Sequence, residues 1–280
     1  MTPTPTRVAN RLVAAIKRFH DVLESAKSRD VNESDTVIIV TDMLSEIFGY
    51  DKYSEITSQH EIRGTYCDLA TVLNDKVQLL VEAKAIGIEL KESHVKQAID
   101  YAANKGVEWV VLTNGVHWKV FNVIFGKPID QELVYEIDFL VLDPKDDEQL
   151  SLVYVLTKEG WKKEVLDDLH QEKQVLNKFV IAAVAVSEPV VDAMRRELRR
   201  MSPDVKVSNE QIEGVLLQEV LKREVAQGDK ADEMRKKITR SVNRQSRIRA
   251  TKAPFEGAES PAAPAAAIPP SGAPQIGPGA

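Results

Sequence analysis

The sequence predicts an α/β domain, in which helices flank a mixed central sheet, followed by an all-helical extension and a tail. Three observations support this prediction. Residues 31–142 alternate between helical and strand patterns, Asn114–Gly115 joins two apolar runs as a hairpin turn, and residues 147–226 have helical patterns throughout. The predicted domains are therefore an N-terminal helix (1–30), the α/β domain (31–142), the helical extension (147–226) and the tail (227–280).

The first two predicted helices come before any strand. Residues 7–29 form the first, because apolar residues recur at helical spacing (Val8, Leu12, Ala15, Phe19 and Val22). Residues 33–48 form the second, with Asn32 or Ser34 as the N-cap and Gly49 at its end. Strands are predicted at 66–73 and 77–85 around a turn at 74–76, and a third helix at 91–104. The hairpin at 109–113 and 117–123 completes the sheet.

The C-terminal part differs in composition. Within the helical extension, four apolar residues are predicted core positions: Leu166, Leu169, Leu176 and Phe179. From Ala226 onward apolar periodicity fades into a basic stretch, and the residues after it are rich in proline, alanine and glycine. That composition is typical of a disordered tail.

Bulk properties exclude several classes of protein. The longest apolar run, residues 179–186, is far shorter than the ~20 residues of a membrane-spanning helix, and the N-terminus does not resemble a secretion signal. Cys67 is the only cysteine, so no internal disulfide can form, which fits the cytoplasm. The formal charge is −6, so a DNA partner would be held by local basic patches.

Two predicted strands bring charged residues together. With a three-residue turn at 74–76, Asp68 lies opposite Glu82, and directly opposed side chains have Cβ atoms about 4.5–5.5 Å apart. Lys84 shares a face with Glu82 because side chains alternate along a strand. Two opposed carboxylates repel each other unless a cation lies between them, and Mg²⁺ prefers such oxygen ligands. The alternative is an ordinary solvated strand face.

Two helices add further candidates. Glu33 lies in line with the apolar stripe of the second helix, where an acid is either a cap or a ligand. Gln97 and Tyr101 are four residues apart on one face of the third helix, and their polar ends point either to the carboxylates or to a phosphate. An amphipathic helix with a tyrosine at the edge of the core is the alternative for this pair.

Five segments carry a resemblance to a known family: NESDTVIIVTDMLSEIFGYD, EIRGTYCDLATVL, VQLLVEAKAIGIEL, QAIDY and WVVLTNGVHWKVF. In this order they resemble the N-terminal nuclease domain of type I restriction enzyme R subunits (HsdR) and its stand-alone relatives, in the PD-(D/E)xK nuclease superfamily. The resemblance covers roughly residues 31–125. It implies a restriction-endonuclease-like core that cleaves DNA phosphodiester bonds with Mg²⁺, or with Mn²⁺ in its place.

The resemblance also implies roles for individual residues. Asp68 and Glu82 would be metal ligands, Lys84 the catalytic lysine, and Glu33 the helix acid and a third metal ligand. Cys67 stands where the motif's name places proline, a position that only shapes the strand. A separate pair, Gln97 and Tyr101, would support the site or contact DNA.

We therefore expect a Mg²⁺-dependent deoxyribonuclease, similar to type I or type IV restriction endonucleases, that serves restriction or defence in the cytoplasm. No G-x-x-x-x-G-K-[ST] run occurs, so this chain has no phosphate-binding loop of an ATPase motor. The expected partners are DNA and helicase, methylase or specificity proteins.

Two other classes of function stay open. A catalytically silent, nuclease-like module would bind nucleic acid or a partner protein, using a helix that carries four arginines (Arg195, Arg196, Arg199 and Arg200). A charged solvent face is the alternative for these arginines. An assembly protein would instead pair its helices 147–226 with a second copy, as a homodimer, or with a motor subunit.

Overall fold

The computed structural model describes residues 3–62 and 65–252, and the chain divides into two compact units, Met1–Asn177 and Lys178–Ala280. The predicted fold class is confirmed for the described residues. The first unit holds a mixed sheet with helices on both faces, and the second unit is helical. The predicted disordered tail at 253–280 lies outside the described residues.

Six strands form one sheet in the described part of the first unit, in the order β1-β2-β3-β4-β5-β6. The pair β3 and β4 is parallel, and all other neighbours are antiparallel. The parallel pair requires a crossover, which the helix between these two strands provides. The strands are β1 (Ile56–Ile62), β2 (Thr65–Leu73), β3 (Lys76–Ala83), β4 (Trp109–Thr113), β5 (His117–Ile124) and β6 (Asp130–Asp138).

Helices cover both faces of this sheet. The helices of the first unit are α1 (Thr6–Ser28), α2 (Glu33–Glu46), α3 (Glu92–Lys105), α4 (Asp147–Val155), α5 (Lys158–Trp161) and α6 (Val165–Val175). Apolar residues of α1, α2, α4 and α6 share one core cluster with one face of the sheet. Helix α3 packs against the other face in a second cluster. The sheet is thus buried on both sides.

The larger core cluster contains an aromatic group at its centre. Trp118 on β5 is fully buried, with ring centroids 4.9 Å from Phe48 and 6.0 Å from Phe139. Helix α2 begins as predicted, because the Asn32 side chain accepts the backbone N–H of Asp35 at 3.0 Å. Its end leads into Gly49, whose φ of +82° favours glycine.

The sequence predicted four core positions after residue 147, three leucines and one phenylalanine, and this prediction was partly wrong. Leu166 and Leu169 are buried, but Leu176 is 62% exposed and Phe179 is half-buried. Leu176 is the residue immediately after the last turn of α6, where its side chain no longer faces the core.

The second unit is described by itself. Its helices are α7 (Lys178–Ala185), α8 (Glu188–Met201), α9 (Asn209–Val215), α10 (Arg223–Ala226) and α11 (Asp229–Lys252), with a π-helical turn at Leu216–Val220. The basic stretch of the sequence therefore lies in α11. None of the described helices is long and apolar enough to cross a membrane.

Candidate active site on β2 and β3

The β2–β3 hairpin sets the positions of the two candidate carboxylates. Its turn has two residues, Asn74 and Asp75, with φ of +53° and +60°, rather than the three that we expected. Asn and Asp tolerate this left-handed conformation, which a two-residue hairpin turn requires. Gln78 is an extra residue in β3 that shifts the register by one, so Leu69 pairs with Val81.

Because of this shift, Asp68 and Glu82 are the next residues along the two strands, directly beyond the last paired residues, Leu69 and Val81. Here the Asp68 side chain joins the strands: its Oδ2 accepts the backbone N–H of Ala83 at 2.8 Å. This hydrogen bond fixes the orientation of the half-buried carboxylate and leaves its other oxygen for a ligand.

Lys84 contacts two other predicted site residues, Glu82 and Glu33. Its Nζ donates to Glu82 Oε1 at 2.7 Å and lies 3.5 Å from Glu33 Oε2, in the first turn of α2. Glu82 is only 8% exposed, whereas the Glu33 side chain is 51% exposed. The structure therefore brings Glu82, Lys84 and Glu33 into direct contact and places Asp68 beside them.

The surroundings of Asp68 and Glu82 disfavour the ionised form of both carboxyl groups. Burial raises the pKa of Asp68, and the charge of Glu33 adds to the effect against the opposing influence of Ala83 N–H and Lys84. Burial also raises the pKa of Glu82, as do Asp68 and Glu33. Burial alone would lower the pKa of Lys84, but Glu82, Glu33 and Asp68 together raise it. Three carboxylates and one ammonium leave an excess of negative charge.

The family model of the type I restriction enzyme R protein N terminus matches residues 39–135. The resemblance predicted from the sequence motifs is thereby confirmed. Searches of curated proteins and of solved structures gave no significant match.

The matched residues cover most of the sheet of the first unit. They contain β1 to β5 and most of β6, with Asp68, Glu82, Lys84, Gln97 and Tyr101. Glu33 lies before the matched residues, although it contacts Lys84. The family match and the geometry therefore overlap on β2 and β3, whereas Glu33, which the sequence motifs also singled out, lies outside the match.

Cys67, at the proline position of the family motif, is packed inside the second core cluster. Its Sγ donates to the backbone carbonyls of Leu69 at 3.4 Å and Val81 at 3.2 Å. Burial, reinforced by Glu82 and Asp68, raises the pKa of the thiol to about 12. The thiol is therefore neutral near pH 7, and its role is to pack the strand that carries Asp68.

The two candidate residues of α3, Gln97 and Tyr101, lie in different environments. Gln97 is exposed, while Tyr101 is buried in the cluster that contains Cys67. Burial, and then the Cys67 thiol, raises the pKa of Tyr101. Tyr101 thus lies behind the strand that carries Asp68, and its part in the site stays a prediction.

The donor set fits a hard divalent cation. Asp68 and Glu82 supply carboxylate oxygens, the ligands that Mg²⁺ prefers, and a cation would offset the burial and repulsion that disfavour both anions. Glu33 does not join them as a compact ligand group. Among the described residues, such a group of three is found instead on the exposed side of α1, at His20, Asp21 and Glu24.

One residue that sequence reasoning treated only as a turn also shapes the site. The Asn114 amide donates to the backbone carbonyls of Ile86 at 3.2 Å and Ile88 at 3.0 Å, and its Oδ1 accepts the N–H of His117 at 2.8 Å. The β4–β5 hairpin therefore holds the loop that follows Lys84. The asparagine of the LTNG segment was the available signal, but sequence alone does not reveal what it contacts.

The four arginines of α8 lie on a helix, as the sequence predicted. Arg195 contacts Asp192 at 3.1 Å, and Arg200 contacts Glu197 at 2.9 Å. Arg196 and Arg199 are exposed. Two of the four positive charges are thus partly neutralised within the helix.

Proposed function

We propose that the first unit is a metal-dependent DNA endonuclease of a restriction or defence system. The observation that carries this proposal is the contact of Lys84 with Glu82 beside Asp68, where the pairing of β2 with β3 ends. The match to the R protein N terminus supports the restriction context. The proposed reaction is hydrolysis of a phosphodiester bond.

Asp68 and Glu82 would hold Mg²⁺, or Mn²⁺, through their carboxylates. The cation, when bound, lowers the pKa of a coordinated water and neutralises charge on the phosphate. Ala83 N–H keeps the Asp68 carboxylate aligned for this role. Because Asp68 is fixed by a backbone group, its orientation costs little side-chain entropy on binding.

Lys84 has two tasks in this mechanism. Its ammonium orients the attacking water and stabilises the negative charge that develops on the phosphate oxygens. The raised pKa of Lys84, caused by its three carboxylate neighbours against the effect of burial, keeps the side chain protonated in the resting site. An ammonium suits charge stabilisation, whereas a general base would need a lowered pKa.

The test is cleavage of supercoiled, linear and single-stranded DNA by the full chain, with and without Mg²⁺ or Mn²⁺. Asp68→Ala and Lys84→Ala should both abolish cleavage. Lys76→Ala, which removes an exposed lysine from the start of β3, is the matched control and should cleave normally. Cleavage that persists in Asp68→Ala, or that needs no metal, would refute the proposed site.

A second candidate is a nuclease-like module that binds nucleic acid without cutting it. The exposed arginines Arg196 and Arg199 of α8 favour this alternative. It requires DNA affinity that is unchanged in Glu82→Ala and absence of cleavage with any DNA form, including modified DNA. Loss of affinity in Arg196→Ala with Arg199→Ala would assign the binding to α8.

A further inference from the structure

Lys84 has two acceptors that differ in burial and belong to different elements. Glu82 on β3 is nearly buried and accepts at 2.7 Å, while Glu33 on α2 is half-exposed and lies at 3.5 Å. The ammonium therefore rests on an oxygen of one proposed metal ligand. Any cation that binds Glu82 competes with Lys84 for the same carboxylate.

We propose that Glu33 is a positioning residue, which receives Lys84 when Glu82 binds a divalent cation, and that it is not a metal ligand. This inference rests on the proposed function, because it describes how the Lys84 ammonium leaves Glu82 when a divalent metal ion binds there. It replaces the metal-ligand role that the family resemblance implies for Glu33.

The geometry favours an acceptor over a ligand. The oxygens of Glu33, Asp68 and Glu82 do not form a group within 4.8 Å of one another, although a group of that kind occurs elsewhere among the described residues. Glu33 instead contacts the Lys84 ammonium, at 3.5 Å, as Glu82 does at 2.7 Å. A carboxylate 3.5 Å away is within reach of a small rotation of the flexible lysine stem.

The cost of an unpaired, partly buried charge explains why Lys84 needs a second acceptor. A lysine released from Glu82 without a new partner would leave an unpaired ammonium in a partly buried position, which is costly. Glu33 accepts it at the helix start, which Asn32 fixes by capping Asp35 N–H. After the exchange, Lys84 stays near Asp68 with its positive charge intact.

A double-mutant cycle of Mn²⁺ binding tests the inference without reference to cleavage. Free Mn²⁺ would be measured by electron paramagnetic resonance, with the full chain and no DNA, for wild type, Lys84→Met, Glu33→Gln and the double variant. Lys84→Met should tighten Mn²⁺ binding by about tenfold, since a charge-assisted hydrogen bond no longer competes. Glu33→Gln should weaken binding about fivefold when Lys84 is present, because Lys84 loses its alternative acceptor.

The decisive comparison is Glu33→Gln in the Lys84→Met background, where the inference expects almost no further effect. Asp35→Asn removes an exposed acid from the same turn of α2 and controls for the general loss of negative charge. Lys84→Leu, which likewise cannot donate to Glu82, repeats the cycle if Lys84→Met does not fold.

Two results would overturn the inference in distinguishable ways. Equal weakening by Glu33→Gln in both lysine backgrounds would make Glu33 a direct ligand and leave the proposed nuclease site intact. Absence of Mn²⁺ binding in wild type and in Lys84→Met alike would overturn the metal-dependent function together with the exchange.

Discussion

Asp68→Asn should stabilise the metal-free protein at pH 7, although it removes a proposed metal ligand. Burial, together with the charge of Glu33, raises the pKa of Asp68, so the ionised carboxylate weakens the fold. In wild type the Asp68 carboxylate accepts the Ala83 N–H at 2.8 Å. The side-chain oxygen of asparagine can accept the same N–H, so the substitution removes the charge and keeps the hydrogen bond. The expected gain is about 1 kcal/mol, which raises the unfolding temperature of a unit of this size by about 2–4 °C.

The pH dependence of this gain has a definite sign. Because the folded-state pKa of Asp68 lies above the ordinary value of 3.8, the folded protein binds a proton more readily than the unfolded chain. The destabilisation is fully present above the folded-state pKa and disappears below the ordinary value. The advantage of Asp68→Asn over wild type should therefore be largest near neutral pH and shrink as the solution is acidified.

Thermal unfolding followed by circular dichroism in EDTA measures this difference. Asp75→Asn, in the exposed β2–β3 turn, makes the same chemical change and should have little effect. Adding Mg²⁺ at ten times its dissociation constant should stabilise wild type by about 1.4 kcal/mol and leave Asp68→Asn unchanged. A lower unfolding temperature for Asp68→Asn at pH 7, or a gain that persists in acid, would refute the reasoning.

Three further predictions concern the site and its support. Lys84→Ala should lower the cleavage rate at least about 100-fold while DNA affinity changes little, as single-turnover and binding assays would show. Trp118→Ala should cost about 3–5 kcal/mol in urea unfolding, because it empties the aromatic centre of the larger cluster. Gly87→Ala should cost less than about 0.5 kcal/mol, because a Cβ there would meet only the Asp30 carboxylate, the end of an exposed side chain that can rotate away.

The sequence interpretation placed Asp68 opposite Glu82 on the basis of an incorrect turn. The sequence interpretation used a three-residue turn, whereas the structure has a two-residue turn and one extra residue, Gln78. The two differences cancel, because each shifts the pairing by one position. Side-chain alternation identifies a face, but sequence alone does not locate a bulge.

Local signals predicted elements better than they predicted contacts between elements. The Asn114–Gly115 hairpin and the capping of α2 by Asn32 depend on neighbouring residues, and both occur. Strand β1 was not predicted separately, because Ile56–Ile62 is polar and lacks apolar alternation. The contact of Glu33 with Lys84 depends on how α2 lies against β3, which no local pattern encodes.

Helix α1 also decides which piece of this chain can stand alone. Its six buried side chains belong to the same cluster as Trp118 and the inner face of the sheet (Val8, Leu12, Ile16, Phe19, Leu23 and Ala26). The family match begins at residue 39 and ends at 135, so a fragment cut at those limits would expose that face to water. The recognisable part of the sequence is therefore shorter than the part that folds, and a usable minimal fragment extends from α1 through α6.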